Sequence, residues 1–554
     1  TRKRSSAASD VYKRQQLSSA VSYIADREGG SVYFPDDIDE KSGTSVANVL
    51  LSKHPAMQDP GVDTLEDFGP APEFINISIT NEIVEMVASH LSGSSGLSGF
   101  DSAALKDLLC AHGQDSHRLR IVFAKFTEWM SNDTPPWAAY RALMACREMA
   151  LGKDGGGIRP IGIGDIFRRG MAKCVLKVAG PSATSECGAD QLCAGLKAGA
   201  EGGVHGVSAA WAEMDVDERN GFLVIDAENA FNSMSRITML WNVWHLWPAG
   251  ARFAFNCYCF QSLLLCRIAS GDALQMWSKE GQIQGDPLSM FLYGIGILPL
   301  IRNLKELHPD VVQPWYADDA AALAEWYRLV QLYDDLILLG KGYGYFSNAA
   351  KCKVVVREGL VEAAVEFFNT QRNMGFEICT GTRYLGGYIG CEVGRDKYIT
   401  KKVLSWESTV RELAMVANQH YPHSAYTGLT KSLQHQWTYF QRVIPNIAHL
   451  FDPVENAITG SFIPAIYGDT VGDSIRLLAS LPVKCAGLAI TNPVSTSQAN
   501  YNASTLVCSH LSQAIQGKSE FYELVHQGCL MSHHRTTALR EDAATATLLT
   551  ILEN

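Results

Sequence analysis

Three aspartates carry the most specific chemistry in the sequence. The apolar run Phe222-Leu223-Val224-Ile225 ends abruptly in Asp226, and far downstream Trp315-Tyr316-Ala317 leads into the adjacent Asp318 and Asp319. Four consecutive apolar residues suit a short strand buried on both faces, which delivers its next side chain at the sheet edge. Val311 to Tyr316, then Ala317-Asp318-Asp319, then Ala320 to Ala324 reads as strand, tight turn, strand. A carboxylate buried without a partner is costly, and metal ligation removes that cost. Magnesium takes one or two carboxylates together with phosphate oxygens. Three converging aspartates can hold two such ions about 3.5–4 Å apart, one on an attacking oxygen and one on a leaving group. That is the chemistry of nucleotidyl transfer. Taken singly, each element also has a plainer reading. Asp226 suits the cap of a helix starting near Asn229, and paired aspartates at a turn are commonly just a solvated turn. No histidine or cysteine set accompanies them, which argues against zinc.

Other elements must position these groups. Gln282-Ile283-Gln284-Gly285-Asp286-Pro287-Leu288-Ser289 precedes a long apolar helix. Pro287 fits a first helical turn, and Gly285 lets backbone approach a base or sugar closely. The same stretch also reads as a plain glycine-containing start to a helix, which Pro299 is expected to kink or end. Between 158 and about 390, strand-like and helix-like segments alternate, as in a mixed α/β domain. Upstream, the spacing of Ile83, Val84, Val87 and Leu91 predicts a helix that stops at Ser92-Gly93-Ser94-Ser95-Gly96. A second helix is predicted behind Asp101 as N-cap. Residues 118–150 read as helical, broken at Pro135-Pro136, and Gly155-Gly156-Gly157 turns into Ile158-Arg159-Pro160-Ile161. Residues 396–450 are helical in period, Pro482 to Pro493 reads as loop and strand, and 494–554 as helix that frays. Residues 16–75 are polar and weakly patterned, so partial disorder is expected there.

Composition bounds the rest. A chain of 554 residues suggests roughly three to four domain-sized units. The net charge of −11 excludes a globally basic nucleic-acid binder. Two local islands run the other way: 147–177 and 395–442 each hold seven basic residues against three acidic ones. Either could be a solvated helix face or the wall of a positive channel. Fourteen scattered cysteines without a C-x-x-C pair point to a reduced, intracellular protein, each thiol reading first as a small buried apolar group. No stretch has the length and apolarity of a membrane span. The opening through about Gln15 is expected to be read-through from an assembled reading frame.

Taken in order, these pieces resemble a reverse transcriptase of the non-LTR (LINE-like) retrotransposon kind, over about residues 76–495. Ile158-Arg159-Pro160-Ile161 with Arg168-Arg169 resembles the family's fingers motif. Val224-Ile225-Asp226-Ala227-Glu228-Asn229-Ala230-Phe231 resembles its first catalytic motif, and Gln284-Gly285-Asp286-Pro287-Leu288-Ser289 its template-and-nucleotide helix. Tyr316-Ala317-Asp318-Asp319 resembles the metal-binding box. Asn348-Ala349-Ala350-Lys351 resembles the motif whose lysine lies near pyrophosphate, and Tyr384-Leu385-Gly386-Gly387 the primer-grip hairpin. Leu481-Pro482 to Gly487-Leu488-Ala489-Ile490 resembles a segment found after the thumb. Two departures stand out: Gly96-Leu97-Ser98-Gly99-Phe100-Asp101 lacks the prolines common at that place, and Asn232 follows Phe231 where many relatives have aspartate.

The resemblance implies a right-hand α/β (α+β) polymerase: fingers, a ferredoxin-like palm with an antiparallel sheet, and a helical thumb. Its expected divisions are an artefactual 1–15, a weakly structured 16–75, a helical extension over 76–150, fingers and palm over 151–395, a thumb over 396–490, and a tail over 491–554, expected to be truncated. It implies Asp226 and Asp318 as the main ligands, assisted by Asp319, for two Mg2+ ions with Mn2+ as a substitute. Lys153 and Arg159 would meet the incoming triphosphate and Lys351 the leaving pyrophosphate. Gln284 and Gly285 would contact the nucleotide, and Tyr384, Leu385, Gly386 and Gly387 the primer and template. Phe231 would pack beneath the 2′ position and exclude ribonucleotides. The implied partners are an RNA template, a DNA primer, dNTPs and an element-encoded RNA, with no membrane, in nucleus and cytoplasm. The basic stretch 395–442 would grip duplex backbone in a salt-dependent way; Trp406 and Trp437 within it read first as core. Three other readings compete: a silent descendant that only binds RNA, a group II intron-type maturase, and a viral RNA polymerase, which Phe231 disfavours. No nuclease or RNase H is indicated. His526, Cys529, His533 and His534 cluster without paired cysteines, a weak pattern for a zinc knuckle.

Overall fold

The computed structural model of the protein describes residues 32–153, 156–215, 218–532 and 546. The expected artefact at 1–15, Gly155, His533 and His534 lie outside the described residues. The strands, in chain order, are β1 (Val32–Tyr33), β2 (Cys146–Gly152), β3 (Ile158–Gly164), β4 (Asn220–Ile225), β5 (Ser262–Arg267), β6 (Ala273–Ser278), β7 (Trp315–Tyr316), β8 (Asp319–Glu325), β9 (Lys353–Val355), β10 (Glu377–Cys379), β11 (Gly381–Tyr384) and β12 (Gly387–Gly390).

The apolar run before Asp226 is buried on both faces, as its composition requires. β4 is the middle strand of a five-stranded sheet ordered β10-β9-β4-β8-β7. It is antiparallel to β8, with Ile225 opposite Ala320, and antiparallel to β9; β9 and β10 are parallel. Successive side chains alternate between two cores. Leu223, Ile225, Ala320 and Ala322 join the larger core with the helices Ser289–Leu307 and Trp326–Tyr343. Phe222, Ala321, Leu323 and Val355 join a second core with the helix Gly199–Glu213 and the C-terminal helices. This is the mixed α/β class that the sequence predicts, and we call the mainly antiparallel sheet, which holds the residues expected of a palm, the palm sheet.

A second sheet holds residues expected of the fingers. β2 is antiparallel to β3 from Cys146↔Gly164 to Gly152↔Ile158, parallel to β5 and antiparallel to the short β1. Residues 146–150 are thus strand and not helix. Cys146, Glu148 and Ala150 are buried and alternate with half-buried neighbours, a period of two that pairing with β3 enforces over the local helix preference of Glu, Met and Ala. The helices Asn81–Ser89 and Ser102–Cys110 form as predicted, the latter with the Asp101 side chain accepting from the Ala104 N–H at 2.8 Å. Pro299 does not end its helix, which runs Ser289–Leu307. The Gly296 carbonyl, in the turn a proline loosens, accepts from Asn242 Nδ2 at 2.7 Å.

Residues 32–75 are ordered, contrary to expectation. Ser45 caps the helix Val46–Lys53, whose Val46 and Leu50 are fully buried in the larger core. The expected thumb region is built on the 27-residue helix Glu392–Asn418. Trp406 and Trp437 are core residues there, 4% and 1% exposed. The segment 482–493 contains a short helical turn, Val483–Cys485, and no strand. The helix Pro493–Ile515 is no loose tail: Ser504 Oγ donates to Glu201 Oε2 at 2.7 Å and Asn500 Nδ2 to Gln441 Oε1 at 2.8 Å, tying it to palm and thumb. All fourteen cysteines are free thiols. No described helix is long and apolar enough to cross a membrane.

Candidate active site

β4 and the β7–β8 turn bring the catalytic candidates to one edge of the palm. Ile225, Ala320 and Trp315 lie side by side across the three strands, so Asp226 leaves β4 next to the turn that carries Asp318 and Asp319. Asp226 caps no helix; the single turn Ala230–Ser233 begins behind Asn229, whose φ is +53°. The Asp226 carbonyl accepts from the Asn348 N–H at 3.0 Å, and Lys351 Nζ lies 3.4 Å from Asp226 Oδ2. Asn232 is buried and donates to Asn229 Oδ1 at 3.1 Å, a local structural bond.

The turn is held by a residue with no motif around it. Ala317 has φ +53°, a left-handed conformation that is costly for alanine. Gln191, fully buried, accepts from the Ala317 N–H at 2.8 Å and donates to its carbonyl at 3.1 Å. The Leu192 N–H donates to the Trp315 carbonyl at 2.9 Å. Two neighbouring residues thus fix the strand end and the turn. No sequence pattern marks Gln191 for this, because its partner is 126 residues away.

Asp226, Asp318, Lys153, Arg159, Lys351, Phe231, Gln284 and Gly285 line one cavity of about 610 Å3, together with Lys53. The cavity's wall at Gly285 is built on close approach. Its φ is +111°, and a Cβ there would meet the Gly162 carbonyl oxygen at 2.8 Å. The Gly162 N–H donates to the Gln284 carbonyl at 2.8 Å, so the motif docks on β3 through its backbone. Asp286 pairs with Arg168, 1% exposed, and accepts from Tyr258 OH at 2.7 Å. Arg168 is therefore an internal strut and not part of a basic surface. Phe231 packs its ring 4.7 Å from that of Tyr293.

Not every candidate meets the cavity. Asp319 is exposed at the start of β8 and is not in its lining. Among the described residues no group of three or more His, Cys, Asp or Glu side chains is placed to hold a metal ion; Asp226 and Asp318 share the cavity, and Asp319 lies outside its lining. His526 instead bonds the Lys197 carbonyl through Nε2 at 2.9 Å. Tyr384 is buried edge-on against Phe222. Its hairpin turn is held by Tyr439 OH donating to the Leu385 carbonyl at 2.6 Å, so this segment offers backbone rather than the tyrosine ring. In the thumb, Arg395, Arg411 and Arg442 are held in ion pairs, while Lys397, Lys401, Lys402 and Lys431 are exposed.

The electrostatics favour a bound cation. Desolvation first, and then the Asp226 carboxylate, raises Asp318 above its ordinary range, with Arg159 and Lys153 opposing. Asp319 is solvent-accessible yet crowded by protein; that desolvation, then Asp318 and Asp226, raises it to about 6. Two mutually repelling carboxylates on one cavity wall fit magnesium, which takes its remaining oxygens from phosphate and water. Opposite them, desolvation and the cations Lys53, Arg159 and Lys351 lower the Lys153 ammonium. Clustered cations facing clustered carboxylates suit a metal-bound polyphosphate.

No family model and no curated protein matches the chain. Among solved structures it is similar to telomerase from Candida albicans in complex with the TWJ fragment of telomeric RNA, at TM-score 0.39 and 10% identity over 72% of this chain and 66% of that one. It is also similar to apo telomerase from Candida tropicalis truncated from its C-terminal domain, at TM-score 0.33 and 10% identity over 52% and 64%. The chain thus spans just under two thirds of the length of either structure. Likenesses this distant carry nothing about activity.

Proposed function

We propose that the protein is an RNA-directed DNA polymerase of the non-LTR retrotransposon kind, extending a DNA primer 3′-OH on an RNA template with dNTPs. The observation that carries the reading is the single cavity into which separate motifs send Asp226, Asp318, Lys153, Arg159, Lys351, Phe231 and Gly285. Asp226 and Asp318 would hold magnesium, which when bound polarises the phosphoryl oxygens and the attacking hydroxyl. Lys153 and Arg159 orient the triphosphate by charge-assisted hydrogen bonds. Lys351 is within reach of Asp226 in the free protein and turns to the leaving pyrophosphate when nucleotide binds. Phe231, backed by Tyr293, closes the space a 2′-hydroxyl needs. The exposed thumb lysines supply sequence-independent contacts to duplex backbone.

Primer extension on poly(rA)·oligo(dT) with magnesium tests this. Incorporation of dTTP well above an Asp318→Ala control is expected. The Lys351–Asp226 contact, which engages one of the two proposed ligands in the free protein, favours a second reading, a silent RNA-binding descendant. Equal incorporation by the two proteins, with RNA binding retained, would establish it instead.

A further inference from the structure

We propose that Lys53, from the N-terminal helix, contacts the triphosphate of the incoming nucleotide as a fourth cation beside Lys153, Arg159 and Lys351, an inference that rests on the polymerase reading above. Lys53 is the last residue of the helix Val46–Lys53 and lines the same cavity as those three cations, Asp226 and Asp318. A lysine in a last helical turn also suits the helix dipole, but the dipole does not require that it line the cavity. Here the backbone is fixed from two sides. The Lys53 carbonyl accepts from Asn229 Nδ2 at 2.9 Å, inside the loop that follows Asp226. The next residue, His54, places Nε2 3.2 Å from Glu148 Oε1 on β2, the strand that leads to Lys153.

The anchoring continues beyond the helix. The Gln58 N–H donates to Glu280 Oε1 at 2.7 Å, and Glu280 Oε2 accepts from the Arg236 N–H at 2.7 Å. Val46 and Leu50 are buried in the core beneath. The segment 45–58 is thus a strap laid from fingers to palm across the rim of the cavity, with its lysine at the crossing. These bonds fix the backbone on both sides of Lys53 and so hold its Cα at the cavity. Lys53 is half-buried. A polyphosphate is the ligand that four clustered cations and a carboxylate-bound cation would together recognise.

The test is steady-state incorporation of dTTP on poly(rA)·oligo(dT) by the full chain and by Lys53→Ala and Lys53→Arg. Lys53→Ala is expected to raise KM for dTTP about tenfold, equivalent to about 1.4 kcal/mol. kcat should change by less than about twofold, and pyrophosphate should inhibit correspondingly less well. Lys53→Arg should restore most of the affinity, and the Kd for template–primer should be the same in all three. An unchanged KM overturns the proposal, as does a loss of template–primer binding that accounts for the change. If the wild-type chain incorporates nothing, the polymerase reading falls by itself. Thermal-shift titration with dTTP and thymidine then decides on Lys53: stabilisation by dTTP alone that Lys53→Ala abolishes supports the site, and equal stabilisation of both proteins overturns it.

Discussion

Asp286→Ala should destabilise the protein severely, and because Asp286 also lines the cavity beside Gly285, stability rather than activity is the readout. In the native protein Arg168 is 1% exposed and pairs with Asp286 across the junction of fingers and palm. Truncating the aspartate leaves that guanidinium buried with its main-chain bond to the Met144 carbonyl at 3.2 Å, and leaves Tyr258 OH without its 2.7 Å acceptor. Breaking a buried pair from one side costs about 3–5 kcal/mol, and an orphaned buried hydroxyl adds about 1 kcal/mol or more. The expected loss is therefore about 4–6 kcal/mol, a large fraction of the 5–15 kcal/mol typical of folded domains. Urea unfolding followed by circular dichroism reads it as a lowered midpoint at unchanged slope. Asp286→Asn, which keeps an acceptor, should lose less. The double variant Arg168→Met/Asp286→Leu should recover most of the loss, since no charge is then left unpaired. A loss below about 1 kcal/mol for Asp286→Ala would place this pair with solvent-screened surface bridges and refute the reasoning.

Other outcomes are as definite. Gln191→Leu leaves the N–H and carbonyl of Ala317 unpaired, so it should cost about 2–3 kcal/mol in urea unfolding and lower primer extension; a variant as stable and active as wild type would show that the turn holds itself. Phe231→Val should admit ribonucleotides in a competition assay, and an unchanged rNTP/dNTP preference would remove Phe231 from sugar selection. His205 is buried and its pKa is lowered from 6.5 to about 4, chiefly by desolvation, with Glu201 opposing. The unfolded chain therefore binds a proton there before the folded one does. Stability is full above pH 6.5 and falls as pH drops toward 4, by up to about 3 kcal/mol. His205→Gln should flatten that part of the pH–Tm curve, and an unaltered slope would contradict the assignment.

The centre of the fold was legible because it is local. A four-residue apolar run ending in aspartate suits a buried strand with a charged exit, and an aromatic pair, a turn and an alanine-rich run suit its partner. The order of the motifs along the chain chose this reading over a helix cap and a solvated turn. The rest depended on partners far away in sequence. β2 carries residues with helix preference and becomes strand through β3. Residues 32–75 are ordered by one capped helix and by main-chain bonds; the helix leaves only a brief signal, Ser45 before Val46, Val49 and Leu50, inside an otherwise polar stretch. Gln191 acts on Ala317 from 126 residues away in sequence, and Lys53 reaches the cavity only because the strap crosses it. Arg168 counted toward a basic island in sequence, yet its charge is consumed inside. Tyr384 sits in the expected hairpin with its ring turned into the core.

The central claim is that Asp226 and Asp318 share bound metal beneath a nucleotide, and counting metal tests it most directly. Electron paramagnetic resonance titration of Mn2+ in the presence of a non-hydrolysable dTTP analogue and template–primer should give two bound ions per chain for the wild type. The Asp226→Ala/Asp318→Ala double variant should lose that binding while keeping its fold. Equal manganese binding by the two proteins would contradict the account.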